Sequence, residues 1–207
     1  MINKIIFDWS GVISDDRLPV YESNMRLLEK YDKSRISFTQ WLPITKFSVV
    51  EFLESFGILG NNKGILEDYR NTLNAVRKEG IHPQVYSDAK LSLKKLVKKG
   101  IRLAVVSSHP EKNLKEEAKE YGLVDFFEKF LGGSRDKTLG ILDILKTWNV
   151  SSKETGFIGD TIYDIQAAKK ANVFSIGITT GYHIKSRLLK EKPDLIVKSL
   201  KDLLTFF

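Results

Sequence analysis

The chain has 207 residues, of which 42% are hydrophobic and 29% charged, and it contains no cysteine. This composition is typical of a globular protein and excludes disulfides and thiolate metal sites, so any metal ligands must be oxygen or imidazole groups. The net charge of +7 comes from lysines scattered over amphipathic segments. We therefore expect a solvated, lysine-rich surface and no nucleic-acid partner.

The chain begins with a strand-like segment, Asn3 to Asp8, without the apolar core of a secretory signal peptide. No stretch approaches the ~20 apolar residues that a membrane-spanning helix needs. From the sequence we therefore expect a cytoplasmic protein with no membrane partner.

After this first apolar segment, residues 14–85 show only helical patterns. Helices are predicted over Pro19–Tyr31, Ser37–Leu42, Phe47–Phe56 and Gly64–Lys78. A helical block that interrupts an otherwise different pattern indicates an insertion. We assign residues 14–85 to an inserted α-helical cap.

In the rest of the chain, apolar runs alternate with amphipathic helical patterns. Strands are predicted over residues 3–8, 101–106, 155–158 and 173–178, and helices over residues 87–99, 110–121, 137–148 and 162–171. This alternation predicts an α/β fold, a Rossmann-like parallel sheet with helices on both faces, built from residues 1–13 and 86–207. The carboxyl ends of parallel strands share one edge, so polar residues that follow the strands should meet there.

Four polar motifs follow the predicted strands in order. They are IIFDWSGV with Asp8, AVVSS with Ser107 and Ser108, Lys137 after GGSRD, and GDTIYD with Asp160 and Asp164. Each motif alone has an ordinary explanation as a helix cap or turn. In this order they resemble the haloacid-dehalogenase-like hydrolase superfamily. The opening FDWSGVISDD is similar to the FDWNGTLLDD of phosphoglycolate-phosphatase-like members with a helical cap of the C1 type.

The resemblance implies the hydrolysis of a small phosphorylated metabolite. It makes Asp8 the nucleophile, which forms an aspartyl-phosphate. It also implies that Ser107 and Ser108 bind the phosphate and that Lys137 neutralises it. Attack by one anion on another needs positive charge close by, which explains these residue types.

The resemblance also implies Mg²⁺, which prefers oxygen ligands and keeps several of its waters. Asp8 and Asp160 are the expected carboxylate ligands, and the Ser10 carbonyl is the third protein ligand. Asp164, the fourth residue assigned to the metal site, either supports the waters of the metal or orients Lys137.

Ser10 departs from the family pattern DxDGT, in which the second aspartate protonates the leaving oxygen. A hydroxyl cannot act as a general acid in the way that a carboxylic acid can, and general acid catalysis contributes about 10² to 10⁴ in rate. The departure therefore leaves a second hypothesis open, a phosphate-binding protein with low activity.

A third hypothesis rests on phosphonoacetaldehyde hydrolase, whose opening DWAGT also lacks the second acid and which forms a Schiff base with a cap lysine. Lys46 falls in the corresponding part of this cap. A buried lysine in an apolar setting can become nucleophilic through a lowered pKa. Lys46 is thus a candidate for carbon-phosphorus cleavage or, in a phosphatase, for a substrate contact from the cap.

Overall fold

The computed structural model describes residues 2–46 and 48–207, and the chain forms two compact units. The first unit contains Met1–Asp15 and Val85–Phe207, and the second contains Asp16–Gln84. Phe47, where the sequence predicts the start of a cap helix, lies outside the described residues.

The strands, in chain order, are β1 (Lys4–Phe7), β2 (Ser14–Asp15), β3 (Gln84–Val85), β4 (Arg102–Val106), β5 (Lys129–Leu131), β6 (Thr155–Gly159), β7 (Phe174–Ile178) and β8 (Leu195–Val197). The helices are α1 (Arg17–Lys30), α2 (Phe38–Trp41), α3 (Val49–Glu54), α4 (Asn62–Lys78), α5 (Ala89–Lys98), α6 (Glu111–Glu120), α7 (Lys137–Trp148), α8 (Ile162–Lys170), α9 (Lys185–Leu189) and α10 (Leu200–Leu203). Within the described part of the chain, none of these helices is long and apolar enough to cross a membrane.

The first unit is built on a six-stranded sheet in the order β5-β4-β1-β6-β7-β8, and all its neighbouring strands are parallel. Side chains alternate between the two faces along each strand. Ile5 and Phe7 of β1 belong to a buried cluster with residues of α5 and α6, whereas Ile6 packs in a second cluster with residues of α7 and α8. The predicted α/β fold, a parallel sheet with helices on both faces, is therefore confirmed.

The sheet has two more strands than the sequence predicts. β5 and β8 lie at its two edges and contain three residues each. Three residues are too few to establish a two-residue alternation of apolar and polar side chains, so these strands carry no readable pattern. The short strands β2 and β3 pair with each other where the chain leaves and rejoins the first unit.

The second unit is helical. α1 packs against α4. The interior of this second unit contains four side chains that are almost completely buried, Met25, Leu28, Trp41 and Phe52. The guanidinium of Arg26, on α1, donates two hydrogen bonds to the carboxylate of Glu79, directly after α4, at 2.7 and 2.5 Å.

Candidate active site

The carboxyl edge of the sheet brings together four of the residues that the sequence singles out. Asp8 follows β1, Asp160 follows β6, Asp164 lies in the first turn of α8, and Lys137 is the first residue of α7. Carboxylate oxygens of the three aspartates lie within 4.8 Å of one another, and all three side chains are buried. Side chains more than 150 positions apart in the sequence thus form one acidic cluster around a single lysine.

Lys137 bridges two members of this cluster. Its Nζ donates to Asp8 Oδ2 at 2.6 Å and to Asp164 Oδ1 at 2.5 Å. Burial acts to lower the pKa of Lys137, but the two carboxylates outweigh burial and hold its pKa above the usual range. The lysine therefore carries a permanent positive charge next to Asp8.

The cluster contains more carboxylates than the one ammonium group of Lys137 can neutralise. Burial raises the pKa of Asp8 to about 6, with Asp164 adding to the increase and Lys137 opposing it. Burial, followed by repulsion from Asp164 and Asp8, raises the pKa of Asp160 well above its ordinary value. Three buried carboxylates face one ammonium group, which is the donor set and charge deficit that a hard divalent cation such as Mg²⁺ would satisfy.

Asp164 already has protein partners on both carboxylate oxygens. Oδ1 accepts from Lys137, and Oδ2 accepts from the Thr161 amide at 3.0 Å and the Thr161 hydroxyl at 2.6 Å. Thr161 in turn caps α8, because its hydroxyl accepts from the Asp164 amide. Of the two roles that the sequence leaves open for Asp164, these contacts favour the orientation of Lys137.

The backbone closes tightly around Asp160. Its Oδ2 accepts from the amide of Tyr182 at 2.6 Å. Gly11 and Gly181 approach so closely that a Cβ atom on either would overlap the Asp160 carboxylate, and Gly11 also adopts a left-handed φ of 72°. These two glycines therefore shape the walls of the acidic cluster, a role that the sequence alone does not indicate.

His183 fixes the start of α8, although nothing in the sequence pattern assigns a role to Tyr182 and His183. The imidazole Nδ1 of His183 accepts from the Ile162 amide at 3.0 Å, and the His183 amide donates to the Asp160 carbonyl at 3.3 Å. Burial, with a smaller effect of Arg187, lowers the pKa of His183 to about 4. The side chain is therefore neutral near pH 7 and serves as a hydrogen-bond acceptor.

Ser107 and Ser108 follow β4, the strand next to β1. Ser107 is buried and its Oγ accepts from the His109 amide at 3.2 Å, whereas Ser108 is exposed. The Ser107 carbonyl also accepts from the Ser134 amide at 3.0 Å, which ties this loop to the one that follows β5. Ser107 thus lies in a hydrogen-bonded loop at the end of the strand adjacent to that of Asp8.

Ser10 and Lys46 are the remaining residues that the sequence singles out, and neither side chain is fully buried. Ser10 is partly buried in the turn after β1. Lys46 belongs to the second unit and is exposed. An exposed lysine lacks the buried apolar setting that would make its amine nucleophilic.

Comparisons with known proteins identify the family of this chain. The family model described as haloacid dehalogenase-like hydrolase matches residues 5–178. The phosphoglycolate phosphatase of Vibrio vulnificus (strain CMCP6) is 30% identical over 125 residues, which are 58% of this chain and 55% of that protein. The phosphoglycolate phosphatase of Pseudomonas putida is 28% identical over 125 residues, 58% of this chain and 46% of that protein. The chain thus spans about half the length of the curated relatives it matches.

Solved structures resemble the whole chain. A crystal structure described as a predicted phosphatase from Clostridium acetobutylicum has a TM-score of 0.84 and 24% identity, and covers 100% of this chain and 98% of that one. A haloacid dehalogenase-like family hydrolase from Streptococcus pneumoniae has a TM-score of 0.79 and 19% identity, with coverage of 100% and 98%. At these identities the likeness establishes the fold alone.

Proposed function

Because this chain belongs to the haloacid dehalogenase-like hydrolase family, we propose that it is a magnesium-dependent phosphatase acting on a small phosphorylated metabolite. The observation that carries this proposal is the buried cluster of Asp8, Asp160 and Asp164 around Lys137. Several carboxylates can approach a phosphate only if cations lie between them. Plain phosphate binding needs no such acids, whereas metal-assisted attack by a carboxylate does.

In the proposed reaction, a carboxylate oxygen of Asp8 attacks phosphorus, and the bond from phosphorus to the leaving oxygen breaks. The leaving oxygen takes a proton from water, because position 10 carries no carboxylic acid. Water then attacks the aspartyl-phosphate, which releases inorganic phosphate and restores Asp8. Lys137 orients Asp8 and neutralises the transferred group, and Ser107 donates its hydroxyl to a phosphate oxygen. Mg²⁺, held by Asp8, Asp160 and the Ser10 carbonyl, would supply the remaining positive charge.

The test of this proposal is phosphate release by the purified protein with Mg²⁺. The panel contains an aryl phosphate and sugar, nucleotide and glycolate phosphates, the last because of the two relatives named above. We expect inorganic phosphate from at least one member. Release from none, together with the absence of a beryllofluoride adduct at Asp8, would contradict the proposal.

Magnesium is expected to stabilise the folded protein, because it binds the native cluster and relieves repulsion among its carboxylates. At a Mg²⁺ concentration 100 times the dissociation constant, the gain is about 2.7 kcal/mol. This corresponds to an increase in Tm of about 5 to 10 °C for a chain of this size. Differential scanning calorimetry of wild type and Asp160→Asn measures it, and the variant should show little increase. A wild-type Tm that does not respond to millimolar Mg²⁺ contradicts the metal assignment.

Replacement of Ser10 by aspartate is expected to increase turnover by about 10²-fold or more, because it supplies a carboxylic acid to protonate the leaving oxygen. The matched control is Ser10→Asn, because asparagine has nearly the same shape as aspartate but no acidic proton. Steady-state kcat for both variants measures the effect. An equal increase in both, or none in Ser10→Asp, shows that the missing acid does not limit the reaction.

A second candidate function is favoured by the same residue. Ser10 removes the usual general acid, so a phosphate-binding protein with low turnover would also retain this site. A large increase in rate for Ser10→Asp together with a very low wild-type rate would support that candidate.

For Lys46 we propose only a contact with the substrate from the cap. If the protein instead cleaves a carbon-phosphorus bond, borohydride trapping with phosphonoacetaldehyde would reveal a Schiff base at this lysine.

A further inference from the structure

The turn that follows Asp8 closes on itself. We call residues 9–14 the nucleophile turn. The carbonyl oxygen of Trp9 accepts from the amides of Ile13 and Ser14 at 2.8 and 3.0 Å, and the Gly11 amide donates to the Ser14 carbonyl at 2.8 Å. This pattern brings Trp9 and Ser14, the two ends of the turn, next to each other.

One atom outside the turn holds both ends. Oε1 of Glu117, on α6, accepts from the Trp9 indole Nε1 at 2.8 Å and from the Ser14 hydroxyl at 2.5 Å. Trp9 and Ser14 are fully buried, and Glu117 is partly buried. The exchange of Glu117 for an apolar residue would leave the buried indole N–H of Trp9 without this acceptor.

Neighbouring contacts make the arrangement more rigid. The Tyr121 ring, one helical turn after Glu117, stacks on Trp9 with ring centroids 6.1 Å apart, and its hydroxyl lies 3.1 Å from Ser14 Oγ. On another side of the turn, the Thr180 hydroxyl donates to the Gly11 carbonyl at 2.6 Å. The turn is thus fixed at its ends by α6 and in its middle by the loop after β7.

We propose that Glu117 is a positioning residue for the reaction. Its carboxylate fixes both ends of the nucleophile turn and thereby the orientation of Asp8, which precedes the turn, and of Ser10, which lies within it. Hydrogen bonds to an ionised acceptor are roughly twice as strong as those between neutral groups. Displacement of a reacting group by ~1 Å can lower a rate about 10²-fold. This inference rests on the proposed phosphatase function.

Glu117 has a matched control in the preceding residue. Glu116 lies on the same helix and is exposed, and its carboxylate lies 4.0 Å from the ammonium group of Lys112. Replacement of either glutamate by alanine removes the same charge from the same helix. Only the change at position 117 removes the acceptor for Trp9 and Ser14.

The first measurement does not depend on activity. The chain has three tryptophans, so its NMR spectrum contains three indole N–H resonances, and Trp9→Phe identifies that of Trp9. In Glu117→Ala we expect the Trp9 resonance to shift and the amides of Ile13 and Ser14 to exchange with solvent about tenfold faster or more. The other two indole resonances and the Glu116→Ala spectrum should not change.

The second measurement is kinetic. For Glu117→Ala we expect kcat to fall about 10- to 100-fold, with little change in KM, because the substrate still binds while the nucleophile is misaligned. Glu117→Gln retains an oxygen acceptor and should recover most of this loss. Glu116→Ala should match the wild type.

Unchanged amide exchange in Glu117→Ala overturns the proposal whether or not the protein is active. Faster exchange with kcat within twofold of wild type also overturns it. If the wild type releases no phosphate and forms no beryllofluoride adduct at Asp8, the proposed function fails, and the exchange data alone decide whether Glu117 holds the turn. If Glu117→Ala does not fold, the same measurements are made on Ser14→Ala, which removes one of the two donors to Glu117. A kcat and an amide exchange rate equal to those of the wild type in Ser14→Ala would then overturn the proposal.

Discussion

Replacement of Asp8 by asparagine is expected to abolish phosphate release. The amide of asparagine has nearly the same shape as the carboxylate but is not a nucleophile that forms an aspartyl-phosphate. Removal of the nucleophile from a serine protease lowers kcat by about 2 × 10⁶-fold, so a loss on the order of 10⁴-fold or more is expected here. Initial rates on the best substrate of the panel, compared with those of Asp143→Asn, measure the loss. Asp143 is an exposed carboxylate on α7 that pairs with Lys129.

The same substitution should not weaken the fold, and this separates a catalytic role from a structural one. Burial raises the pKa of Asp8 to about 6, above the value of about 3.9 expected in the unfolded chain. A carboxyl with a raised pKa favours the folded state below about pH 4, and that contribution is lost as the pH rises through about 6. In metal-free buffer at pH 8, the Tm of Asp8→Asn should therefore be higher than that of the wild type. At pH 5 the difference in Tm should be smaller.

A wild-type rate in Asp8→Asn would exclude Asp8 as nucleophile. A large loss of rate accompanied by a lower Tm at pH 8 would instead indicate that the carboxylate has a structural role. Active sites commonly place charged groups where they cost stability. The raised pKa values of Asp8 and Asp160 fit this pattern.

The fold could be predicted because its signals are local. Apolar strands such as Ile5 to Phe7 are buried on both faces and therefore appear in the sequence as continuous apolar runs, and each helix shows its own periodicity. The order of these patterns limits the topology to very few solutions. The edge strands β5 and β8 were not predictable, because the pairing that forms them is set by neighbouring strands and not by their own three residues.

Only part of the candidate site could be predicted in the same way. Asp8 and Asp160 are recognisable because each follows a buried strand in a motif. Glu117, in contrast, lies in the strongly charged segment EKNLKEEAKE, where it resembles any solvated glutamate. Its contacts with Trp9 and Ser14 span more than 100 positions, and no local pattern encodes them. Tyr182 was missed for a similar reason, since it reaches Asp160 through its backbone amide.

Replacement of Lys137 by methionine is expected to reduce both activity and stability. Methionine has a similar length but no charge, so Asp8 and Asp164 would lose their shared partner in a buried setting. Loss of one partner from a buried ion pair costs about 3 to 5 kcal/mol, and loss of one group that stabilises the transition state costs about 10² to 10³ in kcat. Chemical denaturation in metal-free buffer and steady-state kinetics with Mg²⁺ measure the two effects.

Lys146→Met is the matched control, because Lys146 is an exposed lysine on the same helix, and it should differ little from wild type. The cause of the instability can be tested with Lys137→Met combined with Asp8→Asn. If unpaired negative charge destabilises Lys137→Met, Asp8→Asn should stabilise that variant by more than it stabilises the wild type, so the two effects will not add. Strictly additive effects would instead mean that Lys137 contributes through the packing of its aliphatic chain. Charge repulsion in the cluster would then be too weak to require the divalent cation that the proposed mechanism assigns to it.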